Sequence, residues 1–393
     1  MIDGYAHKLP VLLARVLAKL AAPSLAADRF ETQRELQRIE YANFFKSEPH
    51  RLAAYAASHL LEMSRWHLLE YVQSISSSRC SHAALEAFAR HALLGQVHLT
   101  ALCHGSVTPA DATKLIEDAA RALGGEPLAP SQVPAQRLLQ LPAAVEVHLR
   151  LHASLCGELE RSLINQAETN SAVEFTLQAG VQAGTDGRLR SMRVELLSQI
   201  LQLPAHEQLR TVEQLGYRVQ LGMRLDLGVV GLRVVIQGEQ PPHHFDDRIE
   251  AFLATVPALL RSLEDSEFEN HREALIEARL EAPTTLKQES DKHWSEISAG
   301  TCDFGRDAAD VECIRGLTRE GLLAYWEDTF AADAPQRRKL LACAYAAHLA
   351  LPPPSSVVST VSKAPIVCVD GLEAAIEFKR TLAAFAPPQR ADQ

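Results

Sequence analysis

The sequence predicts an α+β protein of two domains, and three observations predict it. Segments that alternate apolar and polar residues, such as Val145–Leu151 and Ser171–Gln178, stand among longer runs with helical spacing. The stretch Gly124–Pro142 holds two Gly and four Pro in nineteen residues and sustains no period. Hydrophobic residues make up 47% of 393 residues, enough for a large buried core. The expected division is an α+β region at 1–127, a linker at 128–142 and a C-terminal α+β domain at 143–393.

In the first region, Pro10–Leu20 reads as a helix with Val11, Leu12, Val16, Leu17 and Leu20 on one stripe and Pro at its first turn. Asp28–Phe45 is a second, charge-rich helix, and Pro49 follows as a break. Leu52–Met63 and Leu68–Val72 continue with helical spacing. Gln96–His104 alternates and is expected to be a strand, ended by Gly105. Thr108-Pro109-Ala110-Asp111 has the form of an N-cap, a first-position Pro and an acid three on. That helix should stop at Gly124-Gly125.

The second region opens with the strands Val145–Leu151 and Ser171–Gln178. A helical stripe through Leu189, Met192, Leu196, Leu197, Ile200 and Leu201 is expected to end at Pro204. A short helix carrying Arg210 follows, then a turn at Gly216 and a strand from Tyr217. Gly216 is expected to take a positive φ at this reversal. A second strand, ending G-L-R-V-V-I-Q at Gln237, suggests a hairpin. Helices are expected at Asp246–Leu263, kinked by Pro257, and at Phe268–Leu280 and Leu286–Ser298. Leu317-Thr318 should open another, running through Phe330. Arg337–Tyr345 reads as the last strand and Leu351–Ser362 as a loop.

Composition excludes several classes. The formal charge of -10 gives no basic field for a general nucleic-acid binder. No apolar run reaches the roughly 18 residues of a membrane helix. Seven cysteines without a C-x-x-C pair read as free thiols in a reducing compartment, so a cytoplasmic location is expected.

The most informative stretch is Leu209–Gln220, L-R-T-V-E-Q-L-G-Y-R-V-Q. Arg210 and Tyr217 flank one turn. Arg offers a fork of donors and Tyr an amphipathic ring with one hydroxyl, which suits gripping a peptide backbone. The plain structural alternative is that Arg210 caps its helix or pairs with Glu213 and that Tyr217 is an ordinary strand residue.

R-T-x-E-Q-L-G-Y resembles the signature of the insulinase-type zinc metallopeptidases, the group of insulin-degrading enzyme, nardilysin and pitrilysin. Further stretches resemble the same family in order: R-F-E…F-F-K-S-E-P-H (Arg29–His50), L-C-H-G-S-V-T-P-A-D-A around His104, N-S-A-V-E from Asn170, and the closing E-F-K-R at Glu377–Arg380. H-W-S-E-I (His293–Ile297) is similar to the family's Y-W-x-E-I. The resemblance covers nearly the whole chain and implies the C-terminal half of such an enzyme. It implies two metallopeptidase-like α+β domains, each an antiparallel sheet with helices on one side, the first lacking its opening strands. It gives Arg210 and Tyr217 the role of holding substrate backbone.

The family's catalytic H-x-x-E-H is absent. His59-L-L-Glu62 precedes Met63, His67-L-L-Glu70 precedes Tyr71, and His206-Glu207 has Arg210 where a second His would stand. His243-His244 reads as a solvated helix start. His98, His148 and His152 lack a Cys or His partner at metal spacing, and the acids at Asp303–Asp310 and Glu327-Asp328 read as solvated faces. No catalytic residue and no bound cofactor are therefore expected in this chain. The zinc is expected in a catalytic N-terminal half, which with the peptide substrate is the implied partner. An exposed sheet edge would also favour self-association. A non-catalytic binding or assembly subunit of the same fold is the rival reading.

Overall fold

The computed structural model describes residues 1–91 and 93–387. The first helices are α1 (Leu9–Ala21), α2 (Ala27–Phe44), α3 (Pro49–Leu61), α4 (Leu68–Ser76) and α5 (His82–His91). Strand β1 (Gln96–Val97), α6 (Pro109–Leu123) and β2 (Glu126–Pro127) follow. Then come β3 (Val145–Leu151), α7 (Glu158–Leu163), β4 (Ser171–Val181), α8 (Gly184–Ala205), β5 (Arg218–Asp226) and β6 (Val229–Gly238). The chain continues through α9 (Pro242–Ser262), α10 (Asp265–Leu280), α11 (Leu286–Ser298), α12 (Arg306–Arg315) and α13 (Arg319–Thr329). Strands β7 (Arg338–Ala344) and β8 (Ile366–Asp370) and helix α14 (Gly371–Lys379) complete it.

These elements gather into two compact units, each drawn from separate parts of the chain. The smaller takes Met1–Asn43, His67–Ala135 and Pro283–Ser295; the larger takes Phe44–Trp66, Gln136–Ala282 and Glu296–Gln393. Their borders differ from the expected 1–127 and 143–393, because α3 joins the larger unit and most of α11 the smaller.

In the smaller unit α1 packs on α6. The Thr108 hydroxyl accepts the Asp111 N–H at 3.2 Å, and Gly124 closes α6 at φ +68°. This is the capping chemistry the sequence carries. The expected strand Gln96–His104 is reduced to Gln96–Val97, paired in parallel with Glu126–Pro127. Alternation at Leu99, Ala101 and Cys103 marks a strand only where a neighbour supplies hydrogen bonds. None does among the described residues, and no antiparallel sheet forms in this unit.

The larger unit is built on a six-stranded sheet in the order β5-β6-β4-β7-β3-β8. The β5-β6-β4-β7 half is antiparallel, whereas β7, β3 and β8 run parallel, so the sheet is mixed. The β5–β6 hairpin turns on Leu227 (φ 46°) and Gly228 (φ 77°), the two left-handed positions of a type I′ turn. On one face Val173, Phe175 and Leu177 of β4 pack with Leu196, Leu197 and Leu201 of α8 and Phe245, Ile249 and Phe252 of α9. The other face is covered too. Helix α3 lies there: Arg224 pairs with Glu174 and donates to the Ser58 hydroxyl at 2.9 Å. Every residue from Ser171 to Gln178 is consequently buried, and helices flank the sheet on both sides rather than one.

Three further expectations change. Helix α8 does not stop at Pro204; the chain passes through it and winds into a π-helical stretch, His206–Val212. The acids Asp303 and Asp310 are not a solvated face. Asp310 is buried between Arg188 at 2.8 Å and Arg279 at 3.4 Å, and Arg188 also holds Asp303 at 2.8 Å. The expected last strand is followed by β8, which adds to the sheet beside β3.

Candidate functional site

The site is built where α8 gives way to β5. The π-helical stretch is anchored by Leu209, fully buried, and by the Leu215 N–H donating to the Leu209 carbonyl at 3.1 Å. Wide turns of this kind re-aim side chains and are frequent at functional positions. The left-handed residue of the reversal is Gln214 (φ 53°), not Gly216. Gly216 serves another purpose. A Cβ there would sit 1.9 Å from the Gln237 carbonyl oxygen, and one on Gly238 would sit 2.2 Å from the Leu215 oxygen. Two glycines let the turn cross the end of β6 backbone against backbone. Gly216→Ala is expected to cost about 1–3 kcal/mol, because only backbone movement relieves the clash. Urea unfolding checks this, and an unchanged midpoint would refute the crossing.

That crossing sets Tyr217 beside Gln237. The Gln237 side-chain amide donates to the Tyr217 hydroxyl oxygen. Its own oxygen accepts the His50 backbone N–H at 2.9 Å and the His50 ring Nδ1 at 2.7 Å. The backbone donor fixes which way the amide points. With its oxygen engaged by Gln237, the Tyr217 hydroxyl keeps its proton for a further acceptor. Desolvation, and next the nearby Glu48 charge, hold the Tyr217 pKa above its ordinary value, so the proton stays in place at neutral pH. The side chain is 53% exposed.

Arg210 is half-buried on the π-helical stretch. It does not pair with Glu213. That carboxylate is taken by Arg248 in a bidentate bridge at 2.6 and 2.8 Å and by the Gln208 amide at 2.7 Å. No hydrogen bond or ion pair of the Arg210 side chain forms among the described residues. A guanidinium without a carboxylate partner keeps its donors for a ligand.

The histidine near-misses are structural. His67 caps α4, accepting the Leu69 N–H at 3.3 Å while Glu70 accepts the His67 N–H at 2.7 Å. Burial pushes the His67 pKa down to about 4. His59 is buried within α3. His148, which the sequence leaves without a metal partner, lies 3.5 Å from Glu146 and 3.8 Å from Asp246. The Lys339 ammonium already fills the cation's place there, at 2.7 Å from Glu146, 2.9 Å from Asp246 and 2.7 Å from Glu250. Burial alone would raise Glu146. Hydrogen bonds from His148 and Lys339 and the ammonium charge outweigh it and hold that carboxyl well below the usual range. The donor set of a catalytic zinc, two His and a water-activating Glu on one helix, does not fit these residues.

Sequence reasoning did not single out His50 or Gln237. His50 closes S-E-P-H and Gln237 closes the second hairpin strand, but their meeting depends on α3 docking against the sheet.

With the geometry established, comparison with known proteins places it. Residues 1–74 match the family model "Middle or third domain of peptidase_M16". Residues 196–294, which include Arg210 and Tyr217, match "PQQ synthase PqqF-like, C-terminal lobe domain 4". Human insulin-degrading enzyme is 31% identical over 346 residues, which is 86% of this chain and 32% of that protein. A peroxisomal insulin-degrading enzyme-like protein of Arabidopsis thaliana is 28% identical over 346 residues, 86% of this chain and 34% of its own length. The chain thus spans about a third of the length of the curated relatives it matches. In fold it resembles pitrilysin, with a TM-score of 0.75 at 21% identity, covering 98% of this chain and 38% of that one. A solved "peptidase M16 inactive domain" from Pseudomonas fluorescens superposes with a TM-score of 0.56 at 14% identity, covering 88% of this chain and 78% of its own. By sequence and by fold, the chain is a relative of the insulinase-type M16 peptidases and corresponds to their C-terminal half.

Proposed function

We propose that the chain is the substrate-binding C-terminal half of an insulinase-type zinc metalloendopeptidase, completed by a catalytic N-terminal half that carries the zinc. The observation that carries this reading is the pair Arg210 and Tyr217. One is a guanidinium with no carboxylate partner among the described residues, and the other is a hydroxyl oriented by Gln237. The H-x-x-E-H that would make the chain active alone is missing. Arg210 donates to carbonyl oxygens of an extended peptide. Tyr217 donates a hydrogen bond to the carbonyl oxygen that gains charge when the scissile bond is attacked, the place where a preorganised donor lowers a barrier most. A reducing compartment such as the cytoplasm suits the seven free cysteines. No described helix is long and apolar enough to cross a membrane.

The second reading is a non-catalytic binding or assembly subunit of the same fold. The solved M16 domain described as inactive is the finding that favours it. Mixing decides between them. The purified chain is expected to leave a fluorogenic peptide intact alone and to cleave it once a catalytic N-terminal half of a related enzyme is added. Peptide hydrolysis by the chain alone would refute the first reading. Failure of a folded chain to complement would favour the second.

A further inference from the structure

We propose that His104, Glu289 and His293 form a second, independent site in the smaller unit that binds a divalent transition cation of the zinc class. The three residues each offer one ligand atom, and these atoms lie within 4.8 Å of one another. Glu289 and His293 stand one turn apart on α11, so they share a face of that helix. His104 comes from the loop before α6, where Gly105 at φ +122° lets the chain pass close to Leu286.

The distances fit a coordinated ion better than a direct bond. His104 Nε2 lies 3.5 Å from Glu289 Oε2, long for a charge-assisted hydrogen bond of about 2.7–2.9 Å. Ligands about 2.0–2.1 Å from a tetrahedral zinc are about 3.3–3.4 Å apart, so the contact has the length of a tetrahedral edge. The two imidazoles meet edge to face, 5.5 Å between centroids at 79°. The other nitrogen of His104, Nδ1, is engaged by the Ser290 hydroxyl at 2.6 Å, which orients Nε2 toward Glu289. Such an outer partner is the usual companion of a metal-ligating His. All four side chains sit in one compact unit, and the carboxylate is half exposed, so an ion reaches the site from solvent.

Two His and one carboxylate are a zinc donor set, and they leave one position open to water. This is not the family's catalytic motif: the residues are spread over the loop and α11 with no H-x-x-E-H among them. His293 also departs from the Tyr of the family pattern Y-W-x-E-I that the surrounding stretch resembles. The bound ion would clip the loop to α11.

The test is metal content and titration of the full chain. After chelation and gel filtration, the chain is expected to take up one equivalent of Zn²⁺ and to melt at a higher temperature with it. Cobalt(II) in its place should give the visible d–d bands of a low-coordinate site. His104→Ala and His293→Ala should each abolish uptake at that site, and Ser290→Ala should weaken it about tenfold, the scale of an outer-partner loss. Uptake that persists in the His104→Ala/His293→Ala double variant would place the ion elsewhere in the chain and overturn the proposal. Absence of uptake by the wild-type chain, folded by its melting curve, would overturn it equally.

Discussion

Lys339→Met is expected to lower the unfolding free energy by about 3–5 kcal/mol, the usual consequence of removing one partner from a buried ion cluster. Lys339 is 1% exposed and its ammonium contacts three carboxylates, Glu146 on β3 and Asp246 and Glu250 on α9, at 2.7, 2.9 and 2.7 Å. It also lies 5.0 Å from the Phe175 ring centroid. Arg337 supplies the only other nearby lysine or arginine charge among the described residues, bridging Glu250 at 2.8 Å and Glu146 at 3.5 Å. Met fills the volume but leaves three carboxylates facing one guanidinium. Burial then raises the carboxyl pKa values above their unfolded values. A group so raised contributes stability below its unfolded pKa and loses it as pH climbs. In the wild-type chain Glu146 is depressed, so its contribution is present above the carboxylate range and is lost as pH falls. Both effects act in one direction: the deficit of the variant is largest near about pH 8 and shrinks toward about pH 4–5. Urea unfolding at the two ends of that range checks it. A loss below about 1 kcal/mol, or a deficit that grows with acid, would show that the cluster does not hold α9 to the sheet.

What was legible in the sequence was local. The caps at Thr108 and Thr318 are made as the residues suggest, since an N-cap needs only its own next turn. The Arg210–Tyr217 reversal was visible for the same reason. Its Gly216 is marked by the sequence, but not for which property: a tight backbone crossing needs a missing Cβ as much as a left-handed turn needs a positive φ, and only the position of β6 tells the two apart. The Gln96–His104 strand failed because alternation describes a surface, not the neighbour that completes it. The Lys339 cluster, the Gln237–His50 bond and the His104–Glu289 contact share one cause of invisibility. Each joins residues far apart in the chain, and no period or spacing carries that information.

Arg210→Ala is expected to lower kcat/KM of the complemented enzyme by about 10–10², the effect of losing a charge-assisted hydrogen bond of about 1.5–3 kcal/mol to a peptide carbonyl. The fold should not feel it. The side chain has no carboxylate partner among the described residues, so unfolding free energy should stay within about 0.5 kcal/mol of wild type. Arg210→Lys should recover little, because an ammonium cannot present a planar fork. Tyr217→Phe removes the hydrogen-bond donor to the carbonyl oxygen that gains charge and should cost about 10²–10³. Gln237 acts through Tyr217, so it is a positioning residue, and Gln237→Leu should cost about tenfold. Added to Tyr217→Phe, it should cost nothing more in rate, because the hydroxyl it positions is already gone. That non-additivity separates positioning from a general loss of structure, which would deepen the defect in either background. Turnover by Arg210→Ala at the wild-type rate, measured with the catalytic half in saturating excess, would remove Arg210 from the site. Wild-type turnover by Tyr217→Phe would do the same for the hydroxyl, leaving the turn a structural reversal and favouring the assembly-subunit reading.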